Sequence, residues 1–189
     1  YRNPVFIMAD GFTGQMMEPV KISEPNIDLP EKNWAVRGTE ETSDNLITSI
    51  QLAHDDLEAH NEKLQKKYSI MEQEEVRYEE LYLTDAEIVL VAFGIASRVV
   101  QSAVEELRNE GVKAGMFRPK TLFPFPKKQL SELAEKTDQF LVVEMNNGQM
   151  LDDVKLAVEG RKPVHFHNRM GGNVPSIKEI REKVLKIMR

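Results

Sequence analysis

The sequence contains no cysteine among its 189 residues. This absence excludes disulfide bonds, a thiol nucleophile, and any metal or iron–sulfur centre that cysteine ligands would hold within this chain. A chain without cysteine also suits the reducing cytoplasm, which is the location that we expect for it.

Long apolar runs are also missing, since none approaches the ~20 residues that a membrane-spanning helix needs. The net charge is only −6, and acidic and basic residues are interspersed along the chain. We therefore expect neither a membrane nor a nucleic acid as partner. Hydrophobic residues make up 41% of the chain, which is enough for a core in one domain with appendages.

Nucleotide-binding and metal-binding signatures are absent as well. The segment that begins at Gly94 lacks the three-glycine pattern of dinucleotide-binding loops, and the segment 11–14 lacks the Lys-Ser/Thr ending of a phosphate-binding loop. His165 and His167 would point the same way on a strand, as metal ligands can, but no third ligand lies near them in the sequence. The sequence predicts no metal site.

The second half of the chain contains strands that alternate with amphipathic helices. Apolar strands are predicted at 87–93, 112–117 and 139–144, and a short fourth strand is predicted around Val164 and Phe166. The alternation predicts an α/β fold in which helices cover an open, mainly parallel sheet. A capping box that starts at Ser176 predicts a last helix.

The first half of the chain is less regular. We predict an apolar strand at Pro4–Met8 and then a short helix through Met16, Met17 and Val20. Because such a strand needs neighbours on both sides, and because the first residue is Tyr1, we expect the chain to be a piece of a longer protein. An irregular stretch containing Pro25 and Pro30 follows, and then a long charged helix is predicted at 54–80.

Polar side chains follow several of the predicted strands, and the ends of parallel strands share one edge of an open α/β sheet. The candidates for this edge, or for an interface, are Asp10, Ser97, Arg98, Arg118, Glu144, Asn146, Asn147 and Gln149. Helix starts after Gly94 and Gly148 can bind an anion on their exposed N–H groups. The alternative, which we favour for Gly94, Ser97 and Gly148, is that these residues form turns and helix caps.

Arg118 and Glu144 have opposite charges and are both predicted at the carboxyl edge. If they approach within about 4–6 Å, each favours the ionised form of the other. We expect both residues to act in assembly or active-site architecture, and we assign no catalytic residue in this chain. Arg169, Gly171 and Gly172 precede the last helix, where a turn is favoured over anion binding.

Several motifs occur in a fixed order along the chain. They are Tyr1-Arg-Asn-Pro-Val, Asp10-Gly11, Gly14-Gln-Met-Met-Glu-Pro19, Val76-Arg-Tyr-Glu-Glu80, Arg118-Pro-Lys-Thr-Leu-Phe-Pro-Phe-Pro126, Val143-Glu-Met-Asn-Asn-Gly-Gln-Met150 and Arg169-Met-Gly-Gly172. As an ordered set they resemble the C-terminal part of the alpha subunit of 2-oxoacid:ferredoxin oxidoreductases. The resemblance is strongest to the branched-chain type, which acts on 2-oxoisovalerate (3-methyl-2-oxobutanoate).

That resemblance implies an enzyme that oxidatively decarboxylates a 2-oxoacid to an acyl-CoA and passes the electrons to ferredoxin. It implies thiamine diphosphate and Mg²⁺ in the complete complex and iron–sulfur clusters on partner subunits, with no cofactor expected in this chain. The implied partners are a diphosphate-binding beta subunit, a gamma subunit, a ferredoxin-like subunit and ferredoxin, and the implied substrates are coenzyme A and the 2-oxoacid. An alpha subunit acting on 2-oxoglutarate or pyruvate, or a non-catalytic α/β module that binds a small anion, stays open.

The resemblance also implies a division of the chain into three parts. Residues 1–20 would be the end of a pyrimidine-binding domain, residues 21–84 a connector with the long helix, and residues 85–189 a transketolase C-terminal-like domain. The family's glutamate that activates the aminopyrimidine would lie upstream of Tyr1, so Glu144 is not given that role.

Overall fold

The structure is a computed structural model, and it describes residues 1–22, 27–28 and 31–189. The chain divides into two compact units. The first consists of Tyr1–Met16 together with Ser69–Arg189, and the second is Met17–Tyr68. The irregular stretch predicted at Pro25 and Pro30 lies outside the described residues at those two positions.

The first unit contains an open sheet with helices between its strands. The strands are β1 (Tyr78–Leu81), β2 (Ile88–Val91), β3 (Ala114–Pro119), β4 (Gln139–Glu144) and β5 (Val164–Asn168). The helices of the chain are α1 (Gly11–Gln15), α2 (His54–Glu74), α3 (Gly94–Asn109), α4 (Lys127–Leu133), α5 (Gln149–Val158) and α6 (Ile177–Ile187). A 3-10 helix, Glu40–Asn45, lies in the second unit.

The strand order in this sheet is β1-β3-β2-β4-β5. β2 pairs in parallel with β3 and with β4, and β4 pairs in parallel with β5. The edge strand β1 is antiparallel to β3. The prediction of an α/β fold with an open, mainly parallel sheet is confirmed, including the three leading strands.

Two apolar cores cover the two faces of the sheet, because neighbouring residues on a strand point to opposite sides. On one face, Val89 and Val142 pack among residues of α4 and α5. On the other, Leu90 and Leu141 pack among residues of α3 and α6. All four residues of β2 are buried, which explains why that strand reads as a continuous apolar run. The predicted capping box of α6 forms between Ser176 and Glu179.

The strand predicted at Pro4–Met8 is wrong. No strand forms in residues 1–10, and the side chains of Val5, Phe6, Ile7 and Met8 are 80–97% exposed. A strand is stabilised by ladder hydrogen bonds and by covering side chains, and the described residues supply neither to this segment. An apolar sequence is therefore not sufficient to make residues 4–8 a strand.

The helix predictions for the first half are also corrected. The short helix is α1, which precedes Met16, because Asp10 caps its start and Met16 is already extended. The long helix is found, but it ends at Glu74, and Tyr78–Leu81 forms strand β1 instead. None of the described residues of α2 is buried. No helix in the described ranges is both long and apolar enough to span a membrane.

Candidate functional site

The carboxyl edge of the sheet contains a point at which the order of strand connection reverses. After β2 the chain passes through α3 to β3 on one side, whereas after β4 it passes through α5 to β5 on the other side. In open α/β sheets, ligands bind in the crevice at such a topological switch point. We call the region around the carboxyl ends of β2 and β4 and the starts of α3 and α5 the switch-point crevice.

Glu144 is the last residue of β4, and its side chain turns back onto the start of α5. One carboxylate oxygen, Oε2, accepts from Met150 N at 3.0 Å, and the other, Oε1, accepts from Leu151 N at 2.9 Å. The residue is only 1% exposed. The first N–H groups of a helix lack intrahelical acceptors and carry partial positive charge, so a buried carboxylate at this place is stabilised.

Asn146 caps the same helix at its first two amides. Its Oδ1 accepts from Gly148 N at 2.8 Å and from Gln149 N at 3.1 Å. Gly148 has a φ of +100°, a conformation that favours glycine, so the preference for a turn at this position is confirmed. Between them, Glu144 and Asn146 satisfy the amides from Gly148 to Leu151.

A residue that sequence reasoning missed fixes this loop from the neighbouring strand. Asn168, at the end of β5, donates from Nδ2 to the Asn146 carbonyl at 2.8 Å. The sequence indicated this residue only by position, because Asn168 follows the short strand predicted around Val164 and Phe166. The side chains of Asn147 and Gln149 are exposed, so the structure brings Asn146 together with Glu144 and leaves these two at the solvent-facing surface.

Asp10 reaches the start of the other helix of the crevice, α3. Its Oδ1 accepts from Thr13 N at 2.7 Å, and its Oδ2 accepts from Ile95 N at 2.9 Å. Partial desolvation raises the pKa of the Asp10 carboxyl, but these main-chain donors outweigh it, so the pKa lies below its usual value. Asp10 is therefore an ionised cap shared by two helices.

Ser97 and Arg98 lie in the first turns of α3 but have different surroundings. Ser97 is 1% exposed, and its hydroxyl donates to the Gly94 carbonyl at 2.7 Å, which is a structural role of the kind favoured from the sequence. Arg98 is exposed, and its Nη1 lies 4.0 Å from the Met16 sulfur. Arg98 therefore contacts the segment that also carries Asp10.

Arg118 and Glu144 do not form the ion pair that was considered from their charges. Arg118 Nη1 lies 3.0 Å from Oε2 of Glu79 on β1. β2 lies between β3 and β4, and a two-strand separation is roughly 9–10 Å. In addition, Arg118 is on the face of Met116 and Glu144 is on the face of Val142, and these are opposite faces.

Glu79 is the second residue that sequence reasoning missed. Lys120 Nζ lies 2.6 Å from its Oε1, and this contact, ahead of the Arg118 charge, holds the pKa of the Glu79 carboxyl below its usual value. The motif Val76-Arg-Tyr-Glu-Glu80 contains Glu79, but no role follows for it from the sequence, because its segment is predicted as the end of the long helix.

The two histidines do not form a metal site. His165 Nε2 lies 3.2 Å from the Gln139 side-chain oxygen. Burial lowers the pKa of the His167 imidazole, which favours its neutral form. Among residues 1–22, 27–28 and 31–189, no three His, Cys, Asp or Glu side chains are grouped so that they could hold a metal ion.

The turn before α6 contains an ion pair, and one partner of that pair also belongs to the helix cap. Arg169 Nη1 lies 2.6 Å from Glu179 Oε1, and Glu179 Oε2 accepts from Ser176 N at 2.7 Å and from the Ser176 hydroxyl at 2.8 Å. The Ser176 amide, above all, lowers the pKa of Glu179 to about 2. Gly171 and Gly172 have positive φ values, which agrees with the turn favoured from the sequence.

The chemistry available at the crevice follows from this geometry. Each of its two helix starts receives a carboxylate from the chain itself, Glu144 at α5 and Asp10 at α3. A second anion, such as a phosphate or a substrate carboxylate, would meet like charge at both places.

Comparisons with known proteins agree with the resemblance found in the motifs. The chain is 50% identical over 188 residues to ketoisovalerate oxidoreductase subunit VorB of Methanothermobacter marburgensis, an alignment that covers 99% of this chain and 53% of that protein. It is 30% identical over 213 residues to 2-oxoglutarate synthase subunit KorA of the same organism, with 98% and 56% covered. The chain thus spans about half the length of the curated relatives that it matches.

A solved structure shares the fold. It is 2-oxoglutarate:ferredoxin oxidoreductase from Magnetococcus marinus, with a TM-score of 0.63 and 21% identity over 74% of this chain and 24% of that one. A family model described as pyruvate:ferredoxin oxidoreductase core domain II matches residues 86–180, which run from just before β2 into α6. The chain belongs to this family of 2-oxoacid:ferredoxin oxidoreductase subunits.

Proposed function

We propose that this chain is the C-terminal part of an alpha subunit of a 2-oxoisovalerate:ferredoxin oxidoreductase. The reaction is oxidative decarboxylation of the 2-oxoacid to an acyl-CoA, with electrons passed to ferredoxin. The observation that carries the proposal is the 50% identity to a ketoisovalerate oxidoreductase subunit over 99% of this chain. The alignment spans the residues of the sheet and of the crevice, since it covers 99% of this chain.

The choice among 2-oxoacids rests on the difference between the relatives. Identity is 50% to the ketoisovalerate subunit but 30% to the 2-oxoglutarate subunit of the same organism, at nearly equal coverage of this chain. This difference favours a branched substrate over 2-oxoglutarate. A pyruvate-specific enzyme is the remaining alternative within the family.

The cofactors of the proposed complex are thiamine diphosphate with Mg²⁺ and iron–sulfur clusters. The residues of this chain do not fit them. The chain contains no cysteine to hold a cluster. The helix starts of the switch-point crevice, which are of the kind that can bind a phosphate, already receive Glu144 and Asp10. We therefore assign the cofactors to other parts of the complex and derive no step through them.

The role proposed for this chain is scaffold and assembly. The division into the end of a pyrimidine-binding domain (1–20), a connector (21–84) and a transketolase C-terminal-like domain (85–189) stays part of the proposal. The structure adds that Tyr78–Leu81 joins the sheet of the last of these parts. The proposed partners are the beta, gamma and ferredoxin-like subunits and ferredoxin, in the cytoplasm.

A non-catalytic module that binds a small anion is the rival from another class. The crevice geometry disfavours it, because a bound anion needs unoccupied N–H donors, and the amides of Ile95, Met150 and Leu151 already donate to carboxylates. Titration calorimetry of the chain with phosphate and with acetate is expected to show no heat of binding. Saturable binding of either anion would favour the rival.

The test of the proposal is reconstitution of the complete enzyme from its full-length subunits. Initial rates of coenzyme A-dependent ferredoxin reduction are measured with 2-oxoisovalerate, 2-oxoglutarate and pyruvate. We expect the highest kcat/KM with 2-oxoisovalerate. A higher value with either of the other two acids would assign the subunit to that enzyme instead, and no coenzyme A-dependent rate with any of them would contradict the proposed reaction.

A further inference from the structure

The residue at the N-cap position of helix α3 does not cap the helix with its side chain. Its N-cap residue is Phe93, whose side chain makes no capping hydrogen bond. The acceptor for the Ile95 amide is instead Oδ2 of Asp10, at 2.9 Å and 85 residues away along the chain. A helix start that is capped by a distant residue ties two parts of the fold together, because losing the contact leaves an amide unsatisfied.

The first turn of α3 is shaped to admit this carboxylate. Gly94 has a φ of +58°, and a Cβ added there would lie 2.7 Å from Asp10 Oδ2. Glycine is therefore required at position 94 both for the backbone conformation and for the close approach of Asp10. The positive φ of Gly94 is an observation separate from the hydrogen bond, and the short Cβ distance shows how closely the same Asp10 oxygen approaches this turn.

Asp10 also organises the segment that carries it. Its other oxygen, Oδ1, caps α1 through Thr13 N at 2.7 Å. Just after α1, the Met16 sulfur lies 4.0 Å from Nη1 of Arg98 on α3. One carboxylate thus joins two helix starts, and a second contact keeps the same segment beside α3.

We propose that Asp10 is a positioning residue, whose carboxylate takes the place of an anionic ligand at the start of α3 and thereby fastens residues 1–16 to the switch-point crevice. This inference concerns the assembly of the fold and holds whichever 2-oxoacid the complete enzyme uses. It predicts that residues 1–16 and the first turn of α3 open together when the carboxylate is removed.

The test compares amide hydrogen exchange in the full-length subunit and in the variants Asp10→Ala and Asp10→Asn. In Asp10→Ala we expect exchange at Thr13 and Ile95 to rise by about fivefold, the ratio that corresponds to a typical N-cap. In Asp10→Asn, whose amide has one acceptor oxygen, we expect only one of the two amides to lose protection. Ser176→Ala is the matched control: it removes a helix cap at α6 and should leave Thr13 and Ile95 unchanged.

Chemical rescue distinguishes anion replacement from a general loss of stability. Adding formate to Asp10→Ala should restore protection at Ile95, whereas chloride at the same ionic strength should not. Unchanged exchange at Ile95 in Asp10→Ala overturns the proposal, and so does a loss that formate fails to reverse. If Asp10→Ala does not fold, Asp10→Asn decides the question by hydrogen exchange without rescue: loss of protection at Thr13 or Ile95 supports the proposal, and unchanged exchange at both amides overturns it.

Discussion

At the scale of single residues, the Glu144 side chain is engaged by the main chain of α5. Both of its oxygens accept main-chain hydrogen bonds from α5, and the residue is 1% exposed. A general acid or base needs an oxygen within reach of the proton that it transfers. A carboxylate engaged in this way instead stabilises the helix start, where the partial positive charge of the N–H groups offsets the cost of burial.

We predict that Glu144→Gln lowers the stability of the chain by about 1–3 kcal/mol, because an amide has a single acceptor oxygen and leaves one buried N–H unsatisfied. Urea unfolding followed by circular dichroism measures the change. The control is Glu182→Gln, whose side chain is 66% exposed and which should change stability by no more than about 0.5 kcal/mol. If Glu144→Gln in the assembled enzyme keeps its thermal midpoint but loses turnover by several orders of magnitude, Glu144 is catalytic.

Glu179 provides a pH-dependent prediction. The Ser176 amide, and to a lesser extent the Ser176 hydroxyl and the Arg169 guanidinium, lower the pKa of Glu179 from its usual 4.5 to about 2. A carboxyl whose folded pKa is depressed contributes stability above its unfolded pKa, and this contribution is lost as pH falls toward the folded pKa. We expect acid to destabilise α6 between about pH 4.5 and pH 2.

Hydrogen exchange of the α6 amides across that range tests this prediction. The wild-type chain should lose protection as pH falls, after correction for the intrinsic exchange rate, and Glu179→Gln should start lower and change less. Glu182→Gln, on the same helix, should keep the wild-type response. An equal acid response in Glu179→Gln would show that another group carries it.

At the scale of the elements, strand β1 is an edge strand that depends on one neighbour. Within the described sheet its partner is β3, in antiparallel register, and its Tyr78 ring stacks on Phe117 with centroids 5.2 Å apart. Arg118 and Glu79 join the two strands at the surface, with side chains 37% and 43% exposed. The main-chain ladder and the aromatic contact therefore hold β1, and the ion pair adds little.

We predict that Arg118→Ala costs only about 0–1 kcal/mol, the range for an exposed pair, and not the ~3–5 kcal/mol of a broken buried pair. Tyr78→Ala should cost more, since a stacked aromatic pair contributes ~0.5–1.5 kcal/mol beyond its buried area. Hydrogen exchange of the β1 amides ranks the two variants. A larger loss of protection in Arg118→Ala than in Tyr78→Ala would show that the ion pair stabilises β1 more than the aromatic contact does.

At the scale of the whole molecule, the two helix starts of the switch-point crevice receive carboxylates from two segments of the first unit, Asp10 before α1 and Glu144 at the end of β4. Many α/β sheets bind a ligand at such a place. The chain also spans about half of its curated relatives, at 53% of their length. Function at this scale is expected to belong to the complete subunit and its complex.

We predict that this chain alone binds no thiamine diphosphate tightly. A diphosphate placed at either helix start would meet Asp10 or Glu144, and like charges at close range oppose binding. Calorimetric titration with thiamine diphosphate and Mg²⁺ measures this directly. The reconstituted complete enzyme is the positive control, and micromolar binding by the chain alone would contradict the prediction.

The sequence by itself determined the elements whose signals are local. The buried strands β2 and β4 read as apolar runs, and α6 begins at a capping box, because burial on both faces and side-chain capping leave their mark on adjacent residues. The ordered motifs also placed the chain in its family, which the comparisons confirm. These features can be predicted without knowing which distant segments of the chain come into contact.

The tertiary structure alone decided the features that depend on distant partners. Residues 78–81 became a strand because β3 pairs with them, and residues 4–8 did not become one because no described strand does. Arg118 faces Glu79 because β2 separates β3 from β4 and alternation places Glu144 on the other face. Asp10 caps α3 across 85 residues. Strand pairing and long-range capping depend on which distant segments meet, and local periodicity does not encode this.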